Sequence, residues 1–211
     1  MLRDKAYARF KQRLFAGTLR PGQFVSQREL ADTIGLPIAP VRDALKRLQA
    51  EALVRIIPQR GIQIADVNAK LIRDAYELRS TLEIHAVRRF VERGDFEALA
   101  ALDAQMRSIA ARATTRLTDA LASEFVRLDF RMHETLIDAL DNELIADVYR
   151  VNVDRILLMR LVNRLTRERL LAATEEHMAI IDALKRRDGD AAAAAMARHL
   201  AAAFQKMMGV A

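Results

Sequence analysis

Proline sets the first limit on what this chain can become. All four prolines, Pro21, Pro37, Pro40 and Pro58, fall before residue 60, and the rest of the 211 residues has none. Proline removes a backbone donor and clashes with the preceding helical turn, so a long proline-free stretch is open to uninterrupted helices. Apolar residues recur there at the helical period. They predict helices at about 69–93, 96–113, 119–140, 143–164, 167–187 and 191–207. Breaks fall at Gly94-Asp95, at 114–118, at Asp141-Asn142, at 163–166 and at 188–190. The alanine run 191–195 is of low complexity, but alanine is the best helix former, so helix is expected there too. The expectation for residues 67–211 is an all-helical antiparallel bundle.

The first third is punctuated differently. Ala6, Phe10, Leu14 and Phe15 mark a helix over 4–16, closed by Gly17 and the Pro21-Gly22 loop. Ser26 followed by Glu29 is a capping-box pattern, Leu30, Ala31 and Ile34 form a buried stripe, and Gly35 ends the helix. A third helix opens at Ala39 or Pro40, with Val41, Leu45, Leu48 and Leu53 facing inward. Two short strands, 54–57 and 62–65, flank the turn Pro58-Gln59-Arg60-Gly61. Residues 1–66 thus read as a winged helix-turn-helix domain, and 66–68 as a linker in which Asn68 caps the next helix. The fold class expected is mostly α, a winged helix-turn-helix head followed by the bundle.

Charge divides the chain at the same place. Residues 1–66 hold 12 Lys+Arg against 6 Asp+Glu, whereas the remainder holds 22 of each. A basic head on a neutral body points to nucleic acid as the partner of the head. The absence of cysteine excludes disulfides, zinc ribbons and thiol catalysis. No apolar run nears the roughly 20 residues of a membrane span. The N-terminus carries charges throughout and lacks an apolar core, unlike a secretory signal, so a cytoplasmic location and no membrane partner are expected. A recognition helix places its first turns in the major groove. Ile38, Ala39, Arg42, Lys46 and Arg47 stand there, Arg42 suited to guanine or phosphate and the other two basic residues to the backbone. Arg28 opens the preceding helix, and Arg60-Gly61 forms a wing tip that can enter the minor groove. Each of these arginines, taken singly, is equally readable as a solvated charge on an amphipathic helix.

These residues resemble the GntR family of bacterial transcription regulators. The match runs through Glu29-Leu30-Ala31, Gly35-Leu36, Pro40-Val41-Arg42-Asp43-Ala44-Leu45, Lys46-Arg47-Leu48, Ala50-Glu51, Leu53-Val54 and Arg60-Gly61. Where the family often has Ser-Arg-Thr, this chain has Pro37-Ile38-Ala39. The apolar Ile38 and Ala39 can pack on thymine methyls, so the family's usual operator does not carry over.

In the second part, Asp129 and His133 are spaced i, i+4 and share a helix face, while His177 and His199 lie in two later helices. Three imidazoles and a carboxylate can converge on Zn, Ni, Mn or Fe with open positions left. On their own, such histidines are more often satisfied core residues. The segment also resembles the C-terminal ligand-binding domain of the FadR subfamily. The matching residues are Glu77-Leu78-Arg79, Glu83 and Ala86; Asp129 through His133 with Asn142; Glu176-His177, Ile180 and Ala183-Leu184; Asp190-Ala191; and His199-Leu200. That resemblance implies a metal held by Asp129, His133, His177 and His199. Arg79 is a candidate clamp for an effector carboxylate, with an ion pair to Glu83 at i+4 as its alternative. Asn152 and Arg155 are weaker pocket candidates, and His85 lies outside the metal pattern.

The expectation assembled from these residues is a homodimeric, ligand-responsive transcription regulator, a repressor, on a palindromic operator of double-stranded DNA. A small organic acid is sensed at the metal. Two other classes stay open: a metal-dependent hydrolase using the same four ligands, and a DNA binder without sequence preference, whose affinity would fall steeply with salt.

Overall fold

The computed structural model describes residues 1–209. The elements run α1 (Leu2–Phe15), β1 (Phe24–Val25), α2 (Gln27–Ile34), α3 (Ile38–Ala50), β2 (Val54–Ile57) and β3 (Gly61–Ile64). There follow α4 (Ala69–Arg93), α5 (Phe96–Thr115), α6 (Asp119–Asp138), α7 (Glu143–Arg160), α8 (Arg167–Lys185) and α9 (Gly189–Met207). They cluster into a first unit, Met1–Leu71 with Asp154–Asn163, and a second, Ile72–Val153 with Arg164 onward.

Local signals explain the first unit's elements. Ser26 Oγ accepts from the Glu29 amide at 3.1 Å while Glu29 Oε2 accepts from the Ser26 amide at 2.7 Å, a complete capping box. Gly35 stops α2 in the left-handed conformation, φ 63. Pro37 precedes α3, which starts at Ile38 and places Pro40 in the first turn, where its missing N–H leaves no helical bond unmade. The strands form one antiparallel sheet in the order β1-β3-β2, with Val25 opposite Ile62 and Val54 opposite Ile64. Strand β1 escapes the sequence reading because two residues are too few to show a period. At Gly61, φ is +94 and a Cβ would sit 2.8 Å from the Val25 carbonyl oxygen, so only glycine lets β1 and β3 approach there.

Phe10 and Leu14 of α1, Leu30 and Ile34 of α2, and Val41, Leu45 and Leu48 of α3 close this unit's core with Leu53 and Ile62. Leu158, from the last turns of α7, is a fully buried member of the same cluster, and Leu161 packs against it. Lys11 Nζ donates to Asp154 Oδ2 at 2.6 Å at the same place.

The second unit is helical. Asp95, Thr118, Thr166 and Asp188 cap α5, α6, α8 and α9 through their side chains, and Asn142 Oδ1 accepts from two amides at the start of α7. Asn68 Oδ1 accepts from the Leu71 amide at the start of α4, the cap expected of it. Helix α8 packs on α9 and on α5, and α5 on α6. The short connections make α8–α9 and α5–α6 antiparallel neighbours. Phe90, Phe125, Met132, Leu136, Ile180 and Met196 are buried in the core. Among the described residues no helix is long and apolar enough to cross a membrane. Inside this core lie Arg79, Glu83, Asp129, His133, Asn152, His177 and His199, all at most 2 % exposed. Polar groups hidden to that degree need partners.

Candidate metal centre

Helix α6 supplies Asp129 and His133 one turn apart, α8 supplies His177, and α9 supplies His199. One ligand atom from each lies within 4.8 Å of all the others. His177 Nε2 stands 3.2 Å from Asp129 Oδ1 and 3.4 Å from His199 Nε2, and His133 Nε2 stands 3.9 Å from the same Asp129 oxygen. Zinc bonds of about 2.0–2.2 Å separate tetrahedral ligand atoms by roughly 3.3–3.6 Å, so these spacings suit one ion after small adjustments. His133 Nε2 is buried and has no hydrogen-bond partner among the described residues, as expected of a nitrogen whose partner is a metal. The donor set and this orphaned atom both fit a divalent transition metal.

Burial favours the neutral form of His133 and His199, the form that ligates. It pushes His133 below its ordinary value, against the pull of Glu83. Burial and the neighbouring His177 take His199 down to about 3, although Glu176 acts the other way.

A second layer of charge lies behind the histidines. Glu83 Oε1 accepts from Arg79 Nε and, at 2.7 Å, from the Tyr149 hydroxyl. Glu83 Oε2 is 2.8 Å from His133 Nδ1, a close contact that is not aligned as a hydrogen bond. Burial alone would raise Glu83, but Arg79 and His133 outweigh it and hold the carboxyl well down. On the other side, Glu176 Oε2 lies 2.7 Å from His199 Nδ1, and Arg169 grips Glu176 with two bonds of 2.6 and 2.8 Å. Burial works against ionisation of Glu176, yet its bonds to His199 and Arg169 bring it to about 2.

Arg79 is thus paired with Glu83, the alternative its spacing allowed, while its Nη2 has no partner among the described residues. Asn152 donates to the Ala75 carbonyl at 2.9 Å. Arg155 belongs to the first unit, and His85 is exposed on α4. Tyr149 and Arg169 were not legible as site residues. Arg169 and Glu176 are seven apart, two helical turns, and that spacing was the one available sign.

In the first unit, Arg28, Ala39, Arg42 and Lys46 are exposed, and Ile38 is 41 % exposed at the start of α3. Arg60, in the β2–β3 turn ahead of Gly61, lies 4.8 Å over the Phe24 ring. Arg47 is anchored: it stacks 3.8 Å over Tyr7 and its Nε meets Glu51 at 2.9 Å.

Comparison with known proteins agrees with both units. Residues 2–64 match the family model for bacterial regulatory proteins of the gntR family, and residues 74–202 match the FCD domain. The HTH-type transcriptional repressor RspR of Escherichia coli (strain K12) is 27% identical over 185 residues, 86% of this chain and 78% of that protein. A putative transcriptional regulator GntR from Rhodococcus sp. RHA1 shares the fold with a TM-score of 0.82 at 20% identity, covering 99% of this chain and 98% of that one. The Zn2+-bound FCD domain of TM0439, described as a putative transcriptional regulator, aligns with 69% of this chain and 96% of its own at 23% identity, with a TM-score of 0.56. These families and relatives are transcriptional regulators, not enzymes. The chain belongs to the FCD-domain family and is a transcriptional regulator of the GntR/FCD type, with a gntR-family helix-turn-helix head over residues 2–64 followed by the FCD domain.

Proposed function

We propose that this regulator is a cytoplasmic homodimeric repressor whose helical domain binds a divalent metal, Zn, Ni, Mn or Fe, through Asp129, His133, His177 and His199. The carrying observation is the convergence of four buried ligand atoms within 4.8 Å, one carboxylate and three imidazoles. A metal held by these four residues would leave an open position for a small carboxylate effector, and Arg79, whose Nη2 has no hydrogen-bond partner among the described residues, would pair with its carboxylate. The Zn2+-bound relative supports the metal, and the repressor among the relatives supports the sign. Once bound, the metal supplies a Lewis-acidic position for the acid. Burial holds His133 and His199 in the neutral form that ligates, and Arg79 orients the effector. The winged heads of two chains read two equal half-sites. Arg28, Arg42, Lys46 and Arg60 reach phosphates and base edges, Arg47 adds charge from its anchored position, and Gly61 lets the wing turn tightly. Ile38 and Ala39 face thymine methyls. Effector binding changes operator affinity only through a difference in its own affinity for the two arrangements of the dimer.

The test is a thermal-shift screen with each metal, with and without mono-, di- and hydroxy-carboxylates, on the wild-type chain and on His177→Ala. A ligand at 100-fold excess over its Kd stabilises by about 2.7 kcal/mol. A metal-dependent shift with one acid, absent in the variant, supports the reading. Equal behaviour of both proteins overturns the site, and a footprint insensitive to that acid on the gene's own upstream region overturns the regulation.

A further inference from the structure

The three imidazoles are not held alike. His177 Nδ1 has no hydrogen-bond partner among the described residues, and His133 Nδ1 touches Glu83 out of alignment. Among the described residues, His199 alone of the three has its outer nitrogen in an aligned hydrogen bond with a carboxylate, Glu176 Oε2 at 2.7 Å from Nδ1. We propose that Glu176, locked by Arg169, is a positioning residue that sets the tautomer and ring direction of His199 before a metal arrives. This rests on the metal site argued above.

An ionised carboxylate accepts hydrogen bonds and cannot donate them, so Nδ1 of His199 must carry the proton. A neutral imidazole has one N–H, and Nε2 is left with its lone pair directed to the shared point, 3.4 Å from His177 Nε2. The carboxylate is itself fixed. Arg169 holds both its oxygens in a fork, at 2.6 and 2.8 Å, which removes rotation about the carboxyl bond. Arg169 is anchored in turn, its amide donating to the Thr166 hydroxyl that caps α8. The order Arg169–Glu176–His199 is the arrangement by which outer carboxylates orient metal-binding histidines. The pair is also accessible enough to be replaced: Arg169 and Glu176 side chains are 16% and 23% exposed, so removing one leaves no fully buried charge.

The proposal is tested on the full chain with Glu176→Ala, Glu176→Gln and Arg169→Ala. Zinc affinity is read by competition with a chromophoric chelator, and the His199 tautomer by long-range 1H–15N spectra of the metal-free protein. Glu176→Ala is expected to weaken zinc binding about 10- to 100-fold and to move the His199 proton from Nδ1 toward Nε2. Glu176→Gln keeps an acceptor oxygen, so it retains the Nδ1–H form with a smaller loss of affinity. Arg169→Ala falls between them. Wild-type affinity in Glu176→Ala, or an unchanged His199 tautomer, overturns the proposal. If the wild-type chain holds no zinc, the metal reading fails instead, and the tautomer spectra still decide the role of Glu176. If Glu176→Ala does not fold, the comparison of Glu176→Gln with Arg169→Ala carries the same decision.

Discussion

Replacing Glu83 by alanine should destabilise the helical unit far more than replacing both Glu83 and its partner. Arg79 and Glu83 are 1% and 0% exposed, and Glu83 Oε1 is the acceptor for both Arg79 Nε and the Tyr149 hydroxyl. Glu83→Ala leaves a guanidinium without its counter-charge in the core, which costs about 3–5 kcal/mol. It also strands the Tyr149 hydroxyl, a further penalty of about 1–3 kcal/mol if that group stays buried. A domain of this size loses roughly 2–4 °C per kcal/mol, so the unpaired charge alone should lower the thermal midpoint by about 6–20 °C. The double change Arg79→Met with Glu83→Leu removes both charges, a change that is neutral or stabilising by up to about 4 kcal/mol. It still strands the Tyr149 hydroxyl at about 1–3 kcal/mol, so it should lie well above Glu83→Ala and within a few kcal/mol of wild type. Tyr149→Phe, which leaves the ion pair intact, should cost about 1.5–3 kcal/mol. The assay is urea unfolding of chelator-treated protein followed by circular dichroism at 222 nm. A Glu83→Ala loss below about 1 kcal/mol, or a double variant weaker than the single, would refute the claim that Glu83 neutralises a buried cation.

Leu158→Ala should cost the first unit about 2–5 kcal/mol by opening a cavity, because Leu158 is fully buried in that core. Leu144→Ala, at a residue 78% exposed, should stay within about 0.5 kcal/mol in the same urea titration. Gly61→Ala should loosen the wing by about 1–3 kcal/mol, since it combines φ +94 with a Cβ 2.8 Å from the Val25 oxygen; wild-type hydrogen-exchange protection across β1 and β3 would count against this. Arg42→Ala should cost about 1–3 kcal/mol of operator binding, and Ile38→Arg should steepen the salt dependence by about one phosphate contact. Titrations at several salt concentrations that show neither effect would remove α3 from the groove. Acid should weaken the metal-free fold in two stages. His199 is held at about 3 and His133 below its ordinary value, so below about pH 6.5 the unfolded chain binds more protons and stability falls toward pH 3. Glu176, held at about 2, contributes stability that is complete above about pH 4.5 and is lost as the pH falls toward 2. Midpoints unchanged between pH 7.5 and 5, or a His199→Gln variant with the same slope, would speak against the buried neutral imidazoles.

Much of this protein is written in short-range signals. The Ser26–Glu29 box, Gly35, the wing turn at Gly61 and the caps at Asn68, Asp95 and Asn142 each act over a few residues, so their meaning survives in the linear chain. The proline-free remainder and its helical period determine a bundle, and the i, i+4 spacing of Asp129 and His133 determines that two ligands share a face. Tertiary structure alone decided what stands behind those ligands. Glu176 meets His199 across 23 residues and Tyr149 meets Glu83 across 66, pairings that depend on how each helix is rotated about its axis when the whole apolar core closes. It also decided that the last turns of α7 complete the core of the first unit. Leu158 carries the same periodic mark as any bundle residue, and the mark names a buried face without naming the neighbour that buries it.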